Sequence, residues 1–280
     1  MSRSLTIKDI QVGADAPLLI IAGPCVIESE EQSLLIASTL QSICDNAGVG
    51  YMFKGSFDKA NRTSLLSNRG PGIDEGLAIL SSVQGQLQLP VTTDVHEPSQ
   101  AKRVSEVADM LQVPAFLCRQ TDLLAACAET GKPVNVKKGQ FISPQEMTHV
   151  VHKLNESGCD RVMLTERGTF FGYNRLVNDF IGLGDLMEIG PPICFDVTHS
   201  TQLPGAGSKQ TAGRPDRAAL IARAATAAGV AALFLECHPD PHSAASDAST
   251  MQRLDVMEEL INTCAAIAHL PNSTHSTVSP

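Results

Sequence analysis

Tryptophan is absent from this 280-residue chain, and aromatic residues make up only 4% of it. A core of stacked rings is excluded, so the interior must be built from Leu, Ile, Val, Ala and Met, which the 43% hydrophobic content supplies. No apolar run approaches the length needed to cross a bilayer, and the opening M-S-R-S-L-T-I-K-D-I has no signal-peptide core. Positive charge is also short. A net charge of −9 argues against nucleic acid as the main partner. The eight cysteines, at 25, 44, 118, 127, 159, 194, 237 and 264, show no CxxC spacing. That excludes a compact metal finger and points to small buried hydrophobes in a reducing cytoplasm, with one or two at most in chemical roles. Internal repeats and low-complexity blocks are missing too. The polar stretch 271–280, P-N-S-T-H-S-T-V-S-P, is expected to be disordered, which leaves 1–270 as a single domain.

What the chain does have is an alternation. Short β-like apolar runs at 18–22, 51–53, 90–93, 110–113, 134–137, 161–164, 193–196 and 232–236 are each followed by a helical pattern. The helices are expected at 28–45, 73–86, 98–107, 121–130, 144–157, 174–183, 215–229 and 251–268. Strands alternating with longer helices imply a parallel sheet, and eight such units in roughly 250 residues suit an α/β (β/α)8 barrel. An open doubly wound sheet is the other architecture of this pattern, but no GxGxxG follows the first strand. An alternating segment at 5–12 adds a short N-terminal strand or hairpin that caps the domain.

The stretch 53–72, F-K-G-S-F-D-K-A-N-R-T-S-L-L-S-N-R-G-P-G, offers Lys54, Lys59, Arg62 and Arg69 with Ser56, Asn61, Thr63, Ser64 and Ser67 as partners, against one acid, Asp58. Its glycines and proline make it a loop. A solvated surface loop has this composition, and so does a site for a phosphorylated ligand; a basic island in an acidic chain favours the second. In a barrel the reactive residues sit at the C-terminal ends of strands. Cys25, Lys54, Lys59, Asp94, His96, Lys137, Arg167, His199 and Glu236 all fall there. Lys59, Lys137 and Arg167 would converge on one mouth and suit a small, densely charged anion. Lys137 and Lys138 are adjacent on a strand, so only one of them can face it. Cys25, His199, Glu236 and Asp247 offer a thiolate, an imidazole and two carboxylates for Zn²⁺ or Fe²⁺. His238 and His242 are rival ligands, and a buried Cys, a core His and solvated acids are the alternative for the set.

With these residues in view the chain resembles the 3-deoxy-D-manno-octulosonate 8-phosphate synthase family over nearly all of 20–267. The resemblance rests on A-G-P-C-V-I-E-S (22–29), F-K-G-S-F-D-K-A-N-R-T-S (53–64), T-T-D-V-H-E (92–97) and Q-V-P-A-F-L-C-R-Q-T-D (112–122). It continues through N-V-K-K-G-Q-F (135–141), T-E-R-G-T-F-F-G-Y-N (165–174), F-D-V-T-H-S-T-Q-L-P-G (195–205), E-C-H-P-D-P (236–241) and S-D-A-S-T (246–250). It implies a barrel enzyme and a homotetramer, condensing phosphoenolpyruvate with D-arabinose 5-phosphate and water and releasing phosphate, for the inner sugar of lipopolysaccharide. Carbon 3 of the enol attacks the aldehyde, water adds at carbon 2, and carbon–oxygen cleavage expels phosphate.

The family has a class that binds a divalent metal through Cys, His, Glu and Asp and a class with Asn at the Cys position and no metal. Cys25 and S-D-A-S-T imply the first, with Zn, Fe or Mn held by Cys25, His199, Glu236 and Asp247. The resemblance places Lys59, Lys137 and Arg167 around phosphoenolpyruvate, with Gln112 and the backbone at Ala115 nearby. It places Asn61 and Arg62 around the aldose phosphate, with Arg62 reaching a neighbouring subunit, and Lys54 and Thr63 are further substrate-binding candidates. Catalytic roles fall to Lys59, Lys137, Arg167, His199 and Asp247. Gly55 stands where the family more usually has Ser, Thr63 where Ser is usual, and Arg175 where Asn is common. A related synthase acting on erythrose 4-phosphate shows Lys-Pro-Arg in place of the Lys59-Ala60-Asn61-Arg62 run; a non-catalytic sugar-phosphate-binding barrel is the rival from another class.

Overall fold

The computed structural model describes residues 4–13, 15–60, 68–205 and 212–270. Asn61, Arg62 and Thr63 and the segment 271–280 lie outside them.

An antiparallel hairpin of β1 (Leu5–Ile7) and β2 (Ile10–Val12) opens the chain. Then β3 (Leu19–Gly23), β4 (Gly50–Lys54), β5 (Val91–Asp94), β6 (Met110–Val113), β7 (Val134–Lys137), β8 (Val162–Glu166) and β9 (Ile193–Asp196) pair in parallel in chain order. A short antiparallel ladder, β10 (Gln202–Leu203) with β11 (Ala212–Gly213), precedes β12 (Ala232–His238). Strand β12 pairs with both β9 and β3, so the sheet closes on itself. The last strand, β13 (Gln252–Arg253), pairs in parallel beside the C-terminal end of β12. The outer helices are α1 (Glu30–Ala47), α2 (Ile73–Leu87), α3 (Pro98–Ser105), α4 (Thr121–Glu129), α5 (Met147–Glu156) and α6 (Phe180–Glu188), then, after the single turn α7 (Val197–Ser200), α8 (Ala218–Ala227) and α9 (Met257–Ala268). The architecture is the expected (β/α)8 barrel.

Strand parity builds two layers, because alternate side chains point to opposite faces. Ile20, Phe53, Val113, Val136, Leu164, Phe195 and Leu235 point outward into the apolar layer beneath the helices. Leu19, Ile21, Met52, Met110, Met163, Cys194, Ala232 and Phe234 point inward and pack with Leu5, Ile7 and Val12 of the hairpin. The hairpin thus plugs the N-terminal end of the barrel. Two residues further along each strand, on the same inward parity, the character changes: Lys54 follows Met52, Gln112 follows Met110, Thr165 follows Met163, Asp196 follows Cys194 and Glu236 follows Phe234. All five of these polar residues are buried. The barrel is therefore apolar at its base and polar towards its mouth.

Four expected helices shift, the first at 144–157, where a 3-10 turn, Pro144–Glu146, precedes α5. In place of 174–183, α6 starts at Phe180, where the Asp179 carboxylate accepts from Ile181 N at 3.0 Å. The positive φ angles of Phe171, Tyr173 and Asn174 take the preceding segment out of the helical region. At 215–229 a 3-10 turn, Pro215–Arg217, precedes α8. At 251–268, β13 and a 3-10 turn, Leu254–Val256, precede α9.

Candidate active site

The mouth of the barrel holds a cavity of about 190 Å³. Lys59, Lys137 and Arg167 line it, having come from three different strand ends as the spacing predicts. Lys137 Nζ is held by Asp196 Oδ2 at 2.6 Å and lies 3.6 Å from the centre of the Phe234 ring. Lys138 points the opposite way, into a buried nest of Thr169 Oγ1 at 3.1 Å and Glu166 Oε2 at 3.5 Å. Glu166 in turn accepts from the backbone N–H groups of Arg167 at 2.9 Å and Gly168 at 2.7 Å, fixing the turn that presents Arg167.

Arg167 donates from Nη2 to Gln202 at 2.8 Å, while its Nη1 is buried without a partner among the described residues. Burial lowers the guanidinium from its ordinary value, against the pull of Asp196 and Glu166. A buried cation with an unmatched donor is unfavourable until an anion meets it. Lys59 behaves differently. Burial opposes its charge, but the acidic groups around it, led by Cys25 and Glu236, outweigh that and raise it.

Other expected substrate residues take supporting positions. The three N–H bonds of Lys54 reach Ser56 Oγ at 2.7 Å, Glu236 Oε1 at 3.0 Å and the Cys25 carbonyl at 3.2 Å. Lys54 therefore borders the cavity but chiefly secures Glu236. Gln112 pairs with Asp94, which lines the cavity. Its amide donates to Asp94 and accepts from Asn135 at 3.4 Å, and Thr165 donates to Asn135 at 2.6 Å, so a hydrogen-bonded belt runs across β5 to β8 under the cavity. Ala115 borders the mouth on a 3-10 turn. Gly55 has a local cause: a Cβ there would come 2.8 Å from Ile27 Cγ1, so the serine usual at this position has no room.

Of the four expected metal ligands, Cys25, Glu236 and Asp247 place donor atoms within 4.8 Å of one another, and His199 stands at the edge of that group, near Glu236 and Asp247. Cys25 Sγ lies 3.2 Å from Asp247 Oδ2, His199 Nε2 lies 3.6 Å from Glu236 Oε2, and His199 Nε2 lies 3.9 Å from Asp247 Oδ2. Donors bound tetrahedrally at about 2.0–2.3 Å sit roughly 3.3–3.8 Å apart. Glu236 Oε2 is buried without a hydrogen-bond partner among the described residues. The donor set and this unmatched oxygen both fit a divalent cation. Burial, then the Asp247 and Glu236 carboxylates, push the Cys25 thiol well up; a bound cation reverses that logic. Glu236 is buried, which favours its neutral form, but Lys54 and Lys59 prevail and hold it well below the carboxylate range.

Cys25 is aimed by a tight turn: a Cβ on Gly23 would lie 2.0 Å from the Lys54 carbonyl oxygen, so only glycine lets β3 run so close to β4 there. Cys237 faces outward into the apolar layer, away from the cluster. His238 and His242 are not in the cluster either. His238 is buried among Gln32, Glu28 and Asp240, and His242 is exposed.

Asp196 was not singled out from the sequence. Its Oδ2 serves both Lys137 Nζ and, at 2.8 Å, His199 Nδ1, joining the two halves of the site through one oxygen. Its inward parity with Cys194, one pleat before the mouth, is the signal that could have found it.

Residues 3–269 match the model of the DAHP synthetase I family. A 2-dehydro-3-deoxyphosphooctonate aldolase from Desulfatibacillum aliphaticivorans is 51% identical over 260 residues, covering 93% of this chain and 95% of the relative. Proteins of the same name from a Synechococcus sp. strain and from Geobacter sulfurreducens are 52% and 47% identical over 247 and 267 residues, covering 88% and 95% of this chain and 87% and 98% of theirs.

Proposed function

The chain belongs to the DAHP synthetase I family, and from that membership and its curated relatives we infer that it is an aldol-type condensing synthase. It joins phosphoenolpyruvate to D-arabinose 5-phosphate, takes up water, and releases phosphate to give 3-deoxy-D-manno-octulosonate 8-phosphate. The observation that carries the site assignment is Arg167: a buried guanidinium with an unmatched Nη1, beside Lys59 and Lys137, in the one mouth of a barrel whose base is plugged.

In this reading Arg167, Lys59 and Lys137 hold the phosphate and carboxylate of phosphoenolpyruvate and offset charge as phosphate departs. Asp196 keeps Lys137 in place, and the Glu166 carboxylate fixes the Arg167 turn. The belt through Gln112 holds Asp94 at the cavity floor. The aldose phosphate is assigned to Asn61 and Arg62, by the family resemblance alone. Holding carbon 3 of the enol against the aldehyde supplies much of the rate.

We assign a divalent ion to Cys25, His199, Glu236 and Asp247, supported by their donor separations and by Glu236 Oε2. When bound, such an ion supplies Lewis-acid polarisation of the aldehyde or of water. A homotetramer is inferred from the family resemblance, and the exposed Phe116, Phe141, Phe171, Tyr173 and Ile181 are available for subunit contacts. Eight unbridged cysteines support a reducing, cytoplasmic setting. No helix among the described residues is long and apolar enough to cross a membrane.

Turnover with each aldose phosphate tests the reaction: arabinose 5-phosphate is expected to be consumed with stoichiometric phosphate release, and preference for erythrose 4-phosphate would place the chain in the sibling activity. Elemental analysis with chelation tests the metal. Full turnover by protein shown to be metal-stripped would return Cys25 to a core residue at a Gly-Pro turn.

A further inference from the structure

Between the paired ends of β12 and β13 the chain makes an excursion from 239 to 251, and this excursion carries Asp247. Asp247 takes a left-handed backbone conformation, φ 48°, which is uncommon outside glycine and which Asp tolerates better than most residues. Cys25 and Ser246 meet it from one side: Cys25 Sγ is 3.2 Å from Ser246 Oγ and 3.2 Å from Asp247 Oδ2.

A second group of contacts holds the same excursion a few residues away. Glu28 Oε1 accepts from Ala245 N at 2.9 Å and lies 3.5 Å from His238 Nε2. His238 Nδ1 accepts from Asp240 N at 3.0 Å, so the neutral ring carries its proton on Nε2. That proton faces the Gln32 amide, 2.8 Å away. Gln32 Oε1 is buried without a partner, and turning the amide so that this oxygen meets the Nε2–H satisfies both groups. Both nitrogens of His238 are thereby engaged, which is why the imidazole beside Glu236 in sequence is no ligand.

The segment 25–32 therefore grips the excursion twice, at Asp247 through Cys25 and at its two flanks through Glu28 and Gln32. We propose that Glu28 and His238 form a clasp that positions Asp247, and that they set the affinity of the Cys25, His199, Glu236 and Asp247 cluster for its cation without ligating it. This rests on the metal assignment made above. The physical basis is that outer contacts hold ligands in their binding geometry, and losing one typically weakens metal binding about 10- to 100-fold.

The test is a chelator competition on purified full-length protein loaded with Zn²⁺ or Co²⁺, comparing wild type with Glu28→Ala, Glu28→Gln and His238→Asn. Glu28→Ala and His238→Asn should lose about 10-fold or more in metal affinity. Glu28→Gln keeps an acceptor for Ala245 N and should recover most of that loss. The Co²⁺ protein should show an altered ligand-field spectrum in Glu28→Ala, while phosphoenolpyruvate binding to each metal-free variant, by calorimetry, stays at the wild-type value. Wild-type metal affinity in both Glu28→Ala and His238→Asn overturns the clasp. So does a parallel loss of phosphoenolpyruvate binding in metal-free Glu28→Ala, which marks a general structural role. If wild type itself holds no metal, the metal assignment falls, and the clasp with it.

Discussion

Arg167 is the residue whose removal is easiest to read. Losing a charge-assisted contact to a bound anion costs about 1.5–3 kcal/mol. Arg167→Ala is therefore expected to weaken phosphoenolpyruvate binding roughly 10- to 100-fold with the circular dichroism spectrum intact; a variant that fails to fold would instead make Arg167 structural. Asp196→Asn should do more than one thing. It strips the counter-charge from Lys137 and the acceptor from His199 Nδ1 at once. Metal affinity and phosphoenolpyruvate affinity should fall together, each measurable by calorimetry, whereas loss of only one would mean the shared oxygen is incidental. Cys25→Ala should lose metal and activity together, and Cys25→Asn should keep some chelator-resistant turnover, measured against protein of verified metal content. At this scale much of the site was legible. Lys59, Lys137, Arg167, Cys25, His199 and Glu236 could be found because each ends or follows a strand, and a barrel gathers strand ends; Asp247, in the excursion between β12 and β13, has no such signal, and its assignment rests on the family resemblance. Asp196 could not, because a lone Asp inside F-D-V-T-H has no sequence partner; its meaning comes from Lys137, fifty-nine positions away. Gln112 shows what register adds: it pairs with Asp94, which lines the cavity, and supports it by a side-chain hydrogen bond.

At the scale of elements, the N-terminal hairpin makes a stability prediction. Ile7 is fully buried against the inward residues of the barrel base. Truncating such a side chain costs about 2–5 kcal/mol, so Ile7→Ala should lower the free energy of unfolding by that amount, read as a lower denaturant midpoint, while leaving substrate affinities unchanged. A neutral result would make the hairpin a loose appendage. The strands were legible from the sequence because each is a short apolar run closed by polar residues. The helix starts were less so. The segment 174–183 reads as helical from its apolar spacing, but the positive φ of Asn174, after those of Phe171 and Tyr173, and the Asp179 cap delay α6 to Phe180. Propensity patterns carry no information about such turns. The ladder of β13 on β12 was also missed, since two residues are too few to leave a period.

For the whole molecule, alternation of strand and helix was enough to name the barrel, and closure by the β12 to β3 and β9 pairings bears this out. A tetramer in solution is expected by analytical ultracentrifugation, with Phe171→Ser and Ile181→Ser reducing the assembly; a monomer at working concentration would leave those exposed groups unexplained. The plug formed by Leu5, Ile7 and Val12 has a further consequence, one of traffic. A barrel stoppered at the bottom is a vestibule with one door. Two reactants, a water and two products must share that door, so whichever reactant sits deeper has to arrive before the shallower one blocks its path. Entry becomes a queue. In steady-state kinetics a queue leaves a signature: a dead-end analogue of the inner reactant competes with it alone, while an analogue of the outer reactant traps the inner one in place and is uncompetitive towards it.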